Sequence, residues 1–86
     1  MNKADQAIAE ADKAYKRLWR YRALLGKDKS LSARSVLKIA TERLELTVSA
    51  HTWGHASQEH LNTDILAVNG MVAAINAACD MVAGED

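Results

Sequence analysis

Eighty-six residues, 49% of them apolar, with no proline, no phenylalanine and one cysteine, leave helix as the class that fits and exclude a secreted mini-protein framed by disulfides. A chain this short hides only about 60% of its unfolded surface, so residues 1–86 form one domain whose stability depends on efficient packing or on a second chain. The formal net charge is zero, short of the basic balance of most nucleic-acid-binding domains, yet ten Lys and Arg fall within residues 13–43 and none follows Arg43.

Residues 1–8 alternate charge with alanine and lack the apolar run of a signal peptide, so a cytoplasmic protein is expected. Gly26 and Gly54 supply the punctuation that proline would otherwise give. Each precedes possible N-caps, Ser30 or Ser32 in the first case and Ser57 in the second. The spacing predicts helices near 3–25, 31–53 and 58–83. Their matched lengths predict an all-α fold, an up-down-up three-helix bundle of long antiparallel helices, open to completion by oligomerisation.

In the first helix, Ala4, Ala7, Ile8, Ala11, Ala14, Tyr15, Leu18, Tyr21 and Leu25 share one side, while Lys13, Lys16, Arg17 and Arg20 occupy the other. The run from Lys16 to Arg22 interleaves cations with Trp19 and Tyr21. Such a face suits solvent, an acidic protein surface or the phosphates of a nucleic acid.

The second helix carries a broader apolar arc. Leu37, Ala40, Leu44, Val48 and His51 run down its centre, and Val36, Ile39, Leu46, Ala50 and Trp53 flank them, so it calls for neighbours on two sides. Arg43 falls inside this arc and is expected to bridge to a carboxylate or to lie at a partner contact. Glu42 and Glu45, one turn apart on the outer face, read with Arg34 and Lys38 as a solvated charge network.

His51, His55 and His60 cluster around the turn at Gly54. In an unbroken helix His51, His55 and Glu59 would align at i, i+4 and i+8, but Gly54 interrupts that row and the His-Glu-x-x-His pattern of zinc proteases is absent; no metal is expected. His51 continues the line of Leu44 and Val48 and is expected at the end of the core. The stretch Ala50-His51-Thr52-Trp53-Gly54-His55-Ala56-Ser57 resembles the active-site helix of histidine phosphotransfer domains, with Gly54 and His55 standing where that family has lysine and glycine. The resemblance covers eight residues, and it implies phosphoryl transfer through an exposed His51.

The third helix repeats Leu61, Ile65, Val68, Val72, Ile75, Cys79 and Val82 at alternating spacings of four and three, the seam of left-handed helix packing. Beside it lies a second apolar flank of Leu66, Ala67, Met71, Ala74, Ala78 and Met81. Only Asn62, Asn69, Asn76 and Asp80 form a polar stripe. Three helices scarcely cover both flanks, so the second is expected to meet a partner or another copy. Asn69, Asn76 and Asp80 would be costly in hydrocarbon, so no membrane span is expected.

No glycine-rich phosphate loop is present. Cys79 falls within the apolar seam, and the serines near residue 30 are explained by capping. The resulting expectation is a non-enzymatic protein without cofactor that binds another macromolecule as adaptor, inhibitor or assembly subunit. It would dock through the apolar flank of the third helix or the basic face of the first. A nucleic-acid-binding module using Lys13, Lys16, Arg17 and Arg20 is the alternative, and a phosphotransfer or metal-binding protein around His51 a distant one.

Overall fold

The structure, a computed structural model, describes residues 2–84. It is an all-α bundle of α1 (Lys3–Arg20), the single turn α2 (Arg22–Leu25), α3 (Lys27–Thr52) and α4 (Gln58–Ala83), with no strand among the described residues. Arg17 of α1 reaches Asp80 near the end of α4, and Thr47 late in α3 reaches Asp64 early in α4. Thus α1 and α4 run parallel with α3 antiparallel to both, the expected up-down-up arrangement. The bundle is elongated and thin, 44 × 25 × 16 Å across its Cα atoms.

The caps follow from local chemistry. Asn2 Oδ1 accepts from Asp5 N–H at 2.8 Å to open α1, and Ser57 Oγ accepts from His60 N–H at 3.0 Å to open α4. At the end of α3, His55 N–H donates to Ala50 O (2.8 Å) and Gly54 N–H to His51 O (3.1 Å), with Gly54 at φ 78°. This is the Schellman closure, which needs a left-handed residue where glycine stands.

Two boundaries differ from the sequence expectation. The first helix breaks at Tyr21 instead of running to 25, and the second begins at Lys27 instead of 31. Gly26, at φ 98°, reverses the chain in one residue and serves as the N-cap of α3 with no side-chain cap. Ser30 therefore lies inside the helix. It is buried, and its Oγ donates to the Leu18 carbonyl at 3.1 Å. Arg22 Nη1 donates to the neighbouring Trp19 carbonyl at 2.6 Å. Side chains thus take up carbonyls where α1 gives way to α2.

The core is one cluster. From α1 come Ala4, Ala7, Ala11, Ala14 and Leu18, again spaced by three and four; from α3 come Leu37 and Leu44; and from α4 comes the seam from Leu61 to Cys79, with Val82 half-buried. Alanine at a helix contact permits the close end of the roughly 8–10 Å range of interaxial distances. Every buried side-chain polar atom among the described residues has a hydrogen-bond partner.

Candidate docking face

The second apolar flank of α4 divides once its neighbours are in place. Leu66, 70% exposed, borders a groove between α1 and α4, whereas Ala67 and the half-buried Met71 line a groove between α4 and α3. Ala74 and Met81 are exposed, and Ala78 is half-buried. On the outer side of α4, Thr63, Ala67, Gly70, Ala74, Ala77 and Met81 form a second row at spacings of four and three, all exposed and uncharged.

The flank of α3 is uncovered as well. Val36, Ile39, Leu46 and Trp53 are 50 to 76% exposed, so neither α1 nor α4, the two long neighbours of this helix, covers that side. With Arg43 and Ala50 they too follow a four-three repeat. Val36, Ile39, Ala40 and Arg43 line the same groove as Asp64, Ala67 and Met71, so the outer rows of α3 and α4 border one face, turned away from α1. The four-three repeat on α3 is visible in the sequence, but its arc reads there only as breadth. That no neighbour covers it becomes evident only from the positions of α1 and α4.

Two polar groups sit at this groove. Asp64 is nearly buried, with 12% of its side chain exposed; it accepts from Thr47 Oγ1 at 2.6 Å and lies 3.6 Å from His60 Nε2, an ion pair when that imidazole is protonated. Arg43 is exposed, and the carboxylate bridge expected of it is not formed among the described residues. Its alternative placement, at a partner contact, fits this groove.

The basic face is less uniform than the sequence suggests. Lys13 pairs with Glu10 (3.4 Å) and Lys16 with Asp12 (3.0 Å), exposed pairs that contribute little to stability but offset the local charge. Arg17 turns toward α4, where Nη2 meets Asp80 Oδ1 at 2.6 Å and Nη1 meets Asn76 Oδ1 at 3.1 Å. The polar stripe of α4 therefore receives an α1 cation. Arg20 lies over the Tyr21 ring, 5.5 Å from its centroid. A separate cluster forms at the other end of the basic segment: Trp19 is half exposed, with Arg22 and Arg34 at 4.1 and 4.9 Å from its ring, and Lys27 beside them.

His51 is half-buried in the last turn of α3, while His55 and His60 are exposed. His51 is thus not the exposed helical histidine that the phosphotransfer resemblance calls for. No group of three or more His, Cys, Asp or Glu among the described residues could hold a metal ion. Cys79 is fully buried. The helix α4 is long and apolar enough to cross a bilayer by length and composition, and 28% of its most apolar stretch is buried in the bundle.

In comparison with known proteins, no family model matches the chain, and no curated protein and no solved structure matches it.

Proposed function

We propose that this chain is a non-enzymatic binding protein, an adaptor, inhibitor or assembly subunit, that docks helix to helix through the outer face of α3 and α4. The observation that carries the reading is the pair of exposed four-three rows on adjacent helices. A single exposed leucine needs no explanation, whereas apolar side chains repeating at the spacing of helix packing along two neighbouring helices fit another helix. Helix-in-groove recognition uses the same geometry, with apolar anchors at i, i+3, i+4 and i+7.

A photo-crosslinking residue placed at Leu46, 73% exposed on this face, tests the reading in the cells that make the protein. A protein adduct is expected on irradiation. No adduct, or adducts to lipid alone, would overturn it.

The Trp19 cluster favours a second reading, the binding of nucleic acid. Arg22, Lys27 and Arg34 would meet phosphates there, and Trp19 supplies an aromatic surface. Binding to single-stranded DNA or RNA should then fall steeply with salt and drop at least about tenfold when Arg22 and Arg34 become glutamate. Equal retention of the doubly substituted protein on either polymer would eliminate this reading.

A further inference from the structure

We propose that the outer face of α3 and α4 is the contact between two copies of this chain, related by a two-fold axis that runs along the helices. The inference rests on the docking reading and names the occupant.

Gly70 supplies the first observation. It stands mid-way along a 26-residue helix, where glycine weakens the helix relative to alanine, and a Cβ built there meets nothing within 4 Å. Its own chain gives no reason for a glycine at this position. A second chain packed closely against α4 does, because Gly70 lies in the middle of the outer row.

The shape of the face supplies the second. The α3 row is bulky at Val36, Ile39, Leu46 and Trp53; the adjacent α4 row is small at Ala67, Gly70, Ala74 and Ala77. Since the two helices are antiparallel neighbours, a two-fold axis along them lays each bulky row on the small row of the other copy, again antiparallel. Thr47 is level with Asp64, and Ala40 flanks the same groove as Met71. Val36 and Ile39 of one copy therefore come level with the stretch from Gly70 to Ala77 of the other. Such self-complementarity is what an isologous interface requires.

Area and charge agree. Two 26-residue helices side by side present a face of about 39 by 20 Å, or about 800 Å², which is what each partner of a standard stable interface buries. The accessible surface of the chain is 5944 Å², roughly 900 Å² more than expected for a monomer of its 9.4 kDa. Arg43 is the one charge in the two rows, and a net charge of zero places no long-range repulsion between copies.

Size-exclusion chromatography with light scattering on the full chain, across roughly 1–100 µM, provides the test. The expected mass is twice 9.4 kDa, falling to the protomer mass in Gly70→Leu, whose helix content by circular dichroism should be retained since the new side chain has open space in its own protomer. Ile39→Asp, at an exposed position on the opposing row, should likewise weaken association at least tenfold. A wild-type monomer throughout overturns the proposal, as does a dimer that persists in both variants. A monomer that instead co-sediments with phosphatidylcholine–phosphatidylglycerol vesicles assigns the face to lipid and overturns it equally. If the wild type is monomeric while Leu46 still crosslinks to another protein, only the occupant is wrong; if both fail, the docking reading falls too.

Discussion

Replacing Leu44 by alanine should lower the free energy of unfolding by about 2–5 kcal/mol. Leu44 has no exposed surface, and it lies in the middle of α3, where it belongs to the cluster shared by all three long helices. Truncation removes its transfer free energy and leaves a cavity that a bundle with so few large side chains fills poorly, since the α1 contribution is four alanines and one leucine. For a domain of this size each 1 kcal/mol corresponds to roughly 4–8 °C in melting temperature, so a fall of about 10 °C or more is expected. Thermal unfolding followed at 222 nm and at fixed protein concentration measures it, because any self-association adds its own stabilisation. Leu44→Met, which keeps the volume, should cost less than about 1.5 kcal/mol. If the alanine variant melts within about 2 °C of the wild type, the site is not the tightly packed core described above.

The converse substitution, Ala11→Leu, is expected to destabilise by about 1–3 kcal/mol or more although leucine is nearly as good a helix former as alanine. Ala11 is 2% exposed in the middle of the α1 stripe. A larger side chain there must either push α1 away from α3 and α4 or adopt a strained rotamer. Lys13→Leu, on the exposed side of the same helix, serves as the control and should stay within about 0.5 kcal/mol. Chemical denaturation of the three proteins separates the effects, and an Ala11→Leu variant as stable as the control would show that the helices are not in close contact.

The α4 seam was legible in the sequence because its seven positions repeat without a break at spacings of four and three, and six of them are buried in the core. Gly54 and Ser57 were legible for a different reason, since a left-handed closure and a serine cap use residue types that few alternatives explain. The start of α3 was not. Ser30 looks like a cap, but a single glycine at φ 98° makes the turn and sends that hydroxyl to Leu18. Arg17 belongs by periodicity to the solvated side of α1. A long side chain on the flank of a stripe of alanines can nevertheless span to the next helix, where it finds Asn76 and Asp80. The proposed docking face was half legible: α4 shows an apolar surplus on its own, whereas the uncovered row on α3 depends on where the other two helices stand.

The alanine stripe of α1 also bears on how that helix is held. Fixing a buried leucine in one rotamer costs about 0.5–1 kcal/mol of side-chain entropy, and fixing an alanine costs none. Along Ala4, Ala7, Ala11 and Ala14, α1 thus gains little apolar area but gives up no side-chain freedom, and it orders only backbone already favoured as helix. Its attachment relies on closeness of contact along this stripe, fastened at one end by Leu18 and by the reach of Arg17 across to α4.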